Sequence, residues 1–180
     1  MPYLIRTAIE QATTKRVGGT MVDTNKVKML LESVEKLAAS GFAIAFHIRL
    51  SSPELLLQTY PKEWTDHYSE KGYVLVDPIV RWGFSETGAI RWSDLADQDD
   101  NNILGQSAAY GMVYGVAIGV QANNSQSMAG FSRPDREYTD AEISQLTQCT
   151  QALHDLTTSN ENMGAELRED LIQLASKFAR

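Results

Sequence analysis

The stretch YPKEWTDHYSEKGYVLVDPIVRWGFSETGAIRWSD, residues 60–94, carries most of the information about fold and function in this 180-residue chain. Within it, Tyr60, Trp64 and Tyr68 follow one another at intervals of four, which places their side chains along one face of a helix. Asp77 precedes a proline, and proline pushes the preceding residue out of the helical region, so Asp77 is a good N-cap. The stretch therefore predicts two short helices, one with an aromatic stripe and one with an acidic cap.

The polar tips of the stripe distinguish it from ordinary core packing. An aromatic stripe is more often core than pocket, and without the flanking aromatics an acidic N-cap is as often only a cap as a ligand contact. Tyrosine and tryptophan, however, carry a hydroxyl and an indole N–H that need partners when buried, whereas phenylalanine or leucine would suffice for packing alone. The pattern therefore favours donors that converge in a pocket, with Asp77 as an acceptor.

Hydrophobic periodicity around this stretch predicts helices that flank a sheet. The predicted helices cover 27–38, 61–71, 78–86 and 101–110 and begin again at the Thr139/Glu142 capping box. The predicted strands cover 42–50, 89–92, 113–120 and 127–132, the first ending at Ser51, Ser52 and Pro53 and the last two joined at Asn123-Asn124. We expect an α/β (α+β) fold, an α/β/α sandwich with a central, mainly antiparallel sheet, of the PAS/GAF-like kind.

The bulk composition is that of a globular domain and narrows the choice of partners. Hydrophobic residues make up 43% and charged residues 22% of the chain, a balance typical of folded domains. The net charge of −7 argues against binding of phosphate backbones. No apolar run approaches the length of a membrane helix, so we expect no membrane association. The single cysteine, Cys149, is typical of a reducing, cytoplasmic setting.

The sequence gives little support to a metal site or an enzyme. His47, His67 and His154 are scattered, so we expect no metal, and His47 is predicted to be a strand residue on the polar face. Asp66, His67 and several serines leave an esterase or lactonase as the rival from the enzyme class. Because neither a G-x-S-x-G elbow nor an H-x-x-x-H pair is present, we expect a chain without catalytic activity or cofactor.

The residue spacing in this stretch resembles the signature of the LuxR-type autoinducer-binding domain. The matching residues are Tyr60-Pro61, Trp64, Tyr68, Tyr73, Asp77-Pro78 and Trp92-Ser93-Asp94. The resemblance spans about residues 20 to 160 and includes Gly115 and the stretch 131–135. It implies an α/β/α sandwich and a quorum-sensing sensor domain that binds an N-acyl-homoserine lactone and couples it to folding and dimerisation.

The resemblance also implies a role for each pocket residue. Trp64 would donate its indole N–H to the lactone carbonyl, Tyr60 its hydroxyl to the acyl amide oxygen, and Asp77 would accept from the amide N–H. Tyr68 and Trp92 would wall the pocket. A neutral ligand with two carbonyl acceptors and one N–H matches such a set of donors and acceptors.

Three positions depart from the family pattern near the acyl chain. Gly130 stands where better-known members carry a serine or threonine that contacts the ligand. Ile79 replaces a polar threonine found in some members, and Thr65 replaces an arginine that reaches a 3-oxo group. The less polar pocket gives the hypothesis that the ligand has an unsubstituted or unusual acyl chain.

The resemblance further implies a division of the chain. Residues 1–160 would form the autoinducer-binding domain, and 161–180 a C-terminal linker or dimerisation helix, with packing on the sheet as the alternative. This segment carries a near-heptad seam of Met163, Leu167, Leu171, Leu174 and Phe178.

The helix-turn-helix DNA-binding domain of the family is absent from these residues, so we expect no direct binding of nucleic acid. Two possibilities stay open: part of a longer regulator, or a solitary domain that forms a homodimer or pairs with a family member. A PAS/GAF-like sensory or interaction module with another ligand is the alternative function.

Overall fold

A five-stranded sheet with helices on both faces forms the framework of the protein in the computed structural model, which describes residues 16–17, 20–21, 24–158 and 165–177. The helices are α1 (Thr24–Leu37), α2 (Lys62–Glu70), α3 (Pro78–Ser85), α4 (Ile103–Ala108), α5 (Asp140–Thr158) and α6 (Ala165–Ser176). The strands are β1 (Arg16–Val17), β2 (Thr20–Met21), β3 (Gly41–Arg49), β4 (Ser52–Gln58), β5 (Gly88–Arg91), β6 (Tyr114–Ala122) and β7 (Ser125–Arg133). Short 3-10 helices cover Tyr73–Leu75 and Trp92–Gln98.

The order of the main sheet is β4-β3-β7-β6-β5, with every neighbouring pair antiparallel, while β1 and β2 pair separately. The predicted hairpin is confirmed: Asn123 and Asn124 have φ values of 53° and 58°, as a tight turn with two left-handed residues requires. The capping box is also confirmed, because the Glu142 N–H donates to Thr139 Oγ1 and the Thr139 N–H donates to the Glu142 carboxylate. The predicted α+β architecture is therefore correct.

The two faces of the sheet carry side chains of different size. One face packs on α1, α5 and α6 through large buried residues, which include Phe42, Ile44, Phe46, Val116, Ile118 and Phe131. The intervening residues, which include Ala43, Ala45, Gly115, Ala117 and Gly130, project from the opposite face because side chains alternate along a strand. These small residues leave space between the sheet and helices α2, α3 and α4.

Strand β4 was missed in the sequence prediction. The stretch Ser51, Ser52 and Pro53 was expected to end a strand, but Ser52–Gln58 turns back and pairs with β3. Leu50 makes this turn with a φ of 58°. Pro53 is compatible with a strand here because β4 lies at the sheet edge, where one side of the backbone needs no ladder partner.

The prediction that His47 lies on a polar face is wrong. Its φ of 51° is left-handed, which interrupts the side-chain alternation, and only 4% of the residue is exposed. His47 Nδ1 lies 2.8 Å from Ser125 Oγ, Nε2 lies 2.7 Å from Thr157 Oγ1, and the ring centroid lies 4.7 Å from that of His154. Burial, followed by the proximity of His154, lowers the pKa of His47 to about 4.

The C-terminal helix α6 packs on the sheet through contacts with β4. Leu171 is 1% exposed and belongs to the main core, which supports the packing alternative for this helix. Met163, Phe178, the side chains of Leu167 and Leu174, and the predicted boundary between residues 160 and 161 lie outside the described part of the chain. Among the helices of the described ranges, none has the length and apolar character needed to cross a bilayer.

Candidate ligand-binding site

A cavity of about 280 Å³ lies between the small-residue face of the sheet and helices α2, α3 and α4. All the site residues predicted from sequence line it, namely Tyr60, Trp64, Tyr68, Asp77, Ile79, Trp92 and Gly130. The chain thus brings together residues from α2, α3, β7, the 3-10 helix Trp92–Gln98 and the segments just before α2 and α3 around one space. Their contacts with a ligand stay a prediction.

Trp64 is the centre of a cluster of aromatic rings. Its ring centroid lies 5.7 Å from that of Tyr68, 5.4 Å from that of Tyr110 and 6.4 Å from that of Tyr73. Tyr68 meets Trp64 edge-on at 61°, an arrangement favoured by the ring quadrupoles. Packing on several sides fixes the plane of the Trp64 indole, which is 4% exposed.

Asp77 is a buried carboxylate that interacts with the Tyr68 hydroxyl and with the backbone of Ile79 and Val80, and its predicted role as an N-cap is confirmed. The Ile79 N–H donates to Oδ1 at 2.8 Å, and the Tyr68 hydroxyl donates to Oδ2 at 2.7 Å. Burial raises the pKa of Asp77 above its usual value, while the bonds from Tyr68 and Ile79 act in the opposite direction. Because a carboxylate offers about four lone-pair positions, Asp77 retains capacity for a further donor.

Tyr60 reaches across the cavity to the sheet. Its hydroxyl donates to the Gly130 carbonyl oxygen at 2.8 Å, and a Cβ at position 130 would lie 2.9 Å from Tyr60 Oη. Glycine therefore permits the contact, since a side chain there would press on the hydroxyl. Burial raises the pKa of Tyr60 strongly, so this hydroxyl stays protonated.

Trp92 closes the cavity against strand β6. A Cβ at position 115 would overlap the Trp92 indole, so the ring lies directly on the backbone of Gly115. Among the described residues, the Trp92 indole N–H is buried without a hydrogen-bond partner. The steric requirement for glycine at position 115 comes from the neighbouring strand and could not be derived from sequence spacing.

Comparison with known proteins supports a family assignment. The profile of the autoinducer binding domain family matches residues 33–157, more than half of the chain. The chain belongs to this family. It is the autoinducer-binding domain found in LuxR-type regulators.

The relatives of this autoinducer-binding domain include proteins described as transcriptional activators. SolR of Ralstonia nicotianae is 27% identical over 117 residues, which cover 64% of this chain and 50% of SolR. LuxR of Aliivibrio fischeri is 25% identical over 122 residues, which cover 63% of this chain and 49% of LuxR. The chain thus spans about half the length of the curated relatives it matches.

Among solved structures, the N-acylhomoserine lactone dependent factor CepR2 of Burkholderia cenocepacia has a similar fold. The TM-score is 0.53 at 19% identity, with 75% of this chain and 93% of CepR2 covered. At this identity the likeness concerns the fold, and it agrees with the sheet and helix layers described above.

Apart from Gly130, sequence reasoning missed the part of the cavity wall contributed by the sheet and its edge. The additional lining residues include Ala43, Ala45, Leu56, Ala117 and Met128. The alternation of small and large residues in 42–50 was the available signal for Ala43 and Ala45. Leu56 could not be found because β4 itself was not predicted.

Part of the cavity lining is exposed to solvent. Three lining side chains on different elements are exposed there: Leu56 of β4 at 48%, Val74 at 54% and Phe84 of α3 at 42%. Three uncharged polar residues of the lining, Ser51, Gln58 and Ser69, are exposed as well, so the exposed lining mixes apolar and polar residues but carries no charge. This character suits an alkyl chain better than a charged substrate.

Asp66 and His67, the residues that suggested an esterase or lactonase, each interact with another side chain. His67 Nε2 lies 3.0 Å from Gln106 Oε1, and Asp66 forms an ion pair with Lys62. In the ranges that the structure describes, no group of three or more histidine, cysteine or acidic side chains is arranged to hold a metal ion.

Proposed function

We propose that this autoinducer-binding domain binds an N-acyl-homoserine lactone and releases it unchanged. The observation that carries the proposal is the buried Asp77 carboxylate, which is held by Tyr68 and Ile79 and lines an otherwise mostly apolar cavity together with Trp64. A buried acceptor with unused lone pairs suits a neutral ligand that offers an amide N–H. Membership of the family supports the same class of ligand.

The headgroup takes the polar end of the cavity. In this arrangement the amide N–H donates to Asp77, and the Trp64 indole N–H donates to the lactone carbonyl. The ring cluster around Trp64 holds the indole plane in position. A donor that is already oriented loses little conformational entropy when the ligand binds, which favours affinity.

The acyl chain lies along the small-residue face of the sheet and reaches the exposed part of the cavity lining. Ala43, Ala45 and Ala117 supply space, and Ile79 lines the cavity. Each buried methylene contributes about 0.8 kcal/mol. We expect affinity to rise with chain length until the tail emerges between Leu56 and Phe84.

The ligand couples to folding because it fills a cavity inside the domain. Binding to the folded state alone stabilises it by mass action. In the whole protein we propose that this stabilisation favours a homodimer, or a heterodimer with a family member, in a cytoplasmic transcription regulator. Direct contact with nucleic acid belongs to a part of such a regulator other than these residues.

The test is a series of N-acyl-homoserine lactones of graded chain length, measured by thermal shift and calorimetry on the purified domain. Free homoserine lactone without an acyl chain is the matched control. We expect saturable stabilisation that grows with chain length, and intact lactone recovered by mass spectrometry. Absence of stabilisation by every member would refute the proposed ligand class, and consumption of lactone would favour the esterase or lactonase reading.

A further inference from the structure

A short segment, residues 102–111, covers the cavity beside the Trp64 ring, and we call it the lid. It contains helix α4. On its inner side, Ile103 and Ser107 are each 2% exposed and line the cavity. The ring of Tyr110 lies with its centroid 5.4 Å from that of Trp64. Its outward-facing residues are exposed, namely Asn102, Gly105 and Ala109.

The backbone of the lid is not hydrogen-bonded to the rest of the fold. Within the described range 24–158, its backbone hydrogen bonds to other backbone groups all connect it to residues 99–112. The strands of the main sheet, by contrast, are joined to one another by continuous ladders. Ligand-binding lids are drawn from segments of low local stability, which have few hydrogen bonds to their surroundings. The lid is therefore the part of the cavity wall that opens most readily.

One side chain, that of Gln106, connects the lid to two neighbouring segments. Gln106 Oε1 lies 3.0 Å from His67 Nε2 of α2 and accepts from the Tyr73 hydroxyl, also at 3.0 Å. The amide nitrogen of Gln106 donates to the Asn101 carbonyl at 3.1 Å, which turns the amide oxygen towards Tyr73. Because an amide oxygen only accepts, His67 donates through Nε2. We call these two bonds to Oε1 the Gln106 bridge.

The two ends of the lid are anchored and turn sharply. Asn102 has a φ of 52° and Gly111 a φ of 81°, in the region that asparagine and glycine adopt more readily than other residues. Before the lid, the Arg81 guanidinium donates to the Gln98 carbonyl at 2.7 Å. At the far end, the Ser40 hydroxyl donates to the Gly111 carbonyl. Rotation about these two ends would move the lid and leave the anchors in place.

The residues proposed to bind the headgroup are buried. Trp64 is 4% exposed and Asp77 is 5% exposed, so a headgroup reaches them only when a covering segment moves. Ile103 of the lid packs in one cluster with Trp64 and Trp92. Outward movement of the lid would therefore uncover the polar end of the cavity.

We infer that the ligand enters and leaves under the lid, and that the Gln106 bridge holds the lid closed. The inference rests on the proposed function for the place of the headgroup and goes beyond it by assigning the route of exchange. Gln106 is a positioning residue, since it is not part of the described cavity lining. It controls the rates of binding and release rather than the affinity.

The first experiment compares the unmodified domain with Gln106→Leu in stopped-flow measurements of tryptophan fluorescence, with N-octanoyl-homoserine lactone as the probe. Loss of two neutral hydrogen bonds should raise the association and dissociation rate constants together. We expect a factor of about 5 to 30, which corresponds to about 1 to 2 kcal/mol. The affinity should stay nearly unchanged, because the bridge closes the lid with and without ligand. A rise in the dissociation rate constant alone overturns the inference, since Gln106 would then support the bound ligand.

Two further variants assign the effect to the bridge. Tyr73→Phe removes one of the two bonds and keeps the ring, so both rate constants should rise by a smaller factor. Added to Gln106→Leu, it should have no further effect, because the bridge is already lost. Gln126→Leu is the matched control: Gln126 Nε2 donates to the Gly83 and Phe84 carbonyls of α3, another wall of the cavity. An equal or larger rise in this control would identify α3 as the moving wall and overturn the inference.

A measurement without lactone separates the lid from the ligand assignment. Ser107→Cys places a thiol under the lid, where a maleimide reagent reaches it only when the lid opens. Adding Gln106→Leu to this variant should raise the labelling rate at position 107 by the same factor of about 5 to 30. Cys149 is the internal reference, because it is 7% exposed in the main core and its labelling rate should not change.

The two experiments fail in distinguishable ways. If no lactone binds while the labelling rate at position 107 rises, the proposed function is wrong and the lid stands. An unchanged labelling rate at position 107 overturns the lid, whatever the lactones do. A rise that is equal at Cys149 overturns it as well, because the whole domain would then be opening.

Discussion

Replacement of Asp77 by asparagine separates the structural and ligand-binding roles of this carboxylate. Asparagine caps helices as well as aspartate does, so the bond from the Ile79 N–H should survive. The bond from the Tyr68 hydroxyl changes from charge-assisted to neutral, a loss of about 1 kcal/mol. Removal of a buried charge acts in the opposite direction. We therefore expect the free energy of unfolding of D77N to stay within about 1 kcal/mol of the parent value.

The D77N substitution should change the affinity for the acyl-homoserine lactone far more than it changes the free energy of unfolding. Loss of a charged acceptor for the amide N–H costs about 1 to 3 kcal/mol, which is a factor of about 5 to 150 in affinity. Asp77 has a raised pKa because it is buried, and its carboxylate form binds the amide N–H. The affinity of the parent domain should therefore fall as the pH drops through that raised pKa, whereas D77N should show a flat profile.

Protonation of Asp77 has the opposite effect on folding. Because its pKa is higher in the folded state than in the unfolded chain, the folded state takes up the proton more readily. Acidification through this range therefore stabilises the parent relative to D77N. Calorimetric titrations and urea unfolding of both proteins at matched pH values measure the two trends. Identical affinities, or pH profiles that run parallel, would show that Asp77 does not contact the ligand.

Three further predictions concern the framework. Gly115→Ala should lower the free energy of unfolding by about 1 to 3 kcal/mol, the range for overpacking, because the new Cβ would overlap the Trp92 indole. Urea unfolding measures this change. An unchanged free energy of unfolding would contradict the steric argument. The pKa of His47 is lowered to about 4 in the folded protein, so on acidification the unfolded chain takes up the proton first. The free energy of unfolding should therefore fall by about 2 to 3 kcal/mol as the pH drops from 6.5 towards 4. A His47→Gln variant should lack this part of the pH dependence in unfolding curves, and an unchanged dependence would place its origin elsewhere. If α6 is part of the core, Leu171→Ala should lower the free energy of unfolding by about 2 to 5 kcal/mol. Ile172→Ala is the matched control, because Ile172 is 40% exposed. Similar small losses of stability in both variants would contradict that packing.

The sequence by itself determined the helices, most of the strands and the aromatic and acidic residues on the helix side of the cavity. These features depend on short-range rules. The aromatic stripe from Tyr60 to Tyr68 follows from helical spacing, the Asp77 cap from the proline after it, and the hairpin from two adjacent asparagines. Family resemblance added the expected class of ligand, because the spacing of the stretch 60–94 is specific.

Tertiary structure decided the features that depend on contacts between distant segments. Strand β4 exists because pairing with β3 outweighs the local signal of Pro53, and His47 is buried because one left-handed residue breaks an alternation that looked regular. Gly130 is the clearest case. As a departure from the family pattern it signalled only a missing contact, whereas the fold places the Tyr60 hydroxyl on its carbonyl. Local periodicity describes only residues that are near one another in sequence and does not show which distant segments come into contact. Only the folded chain therefore shows which groups in the pocket still have hydrogen-bonding capacity for a ligand.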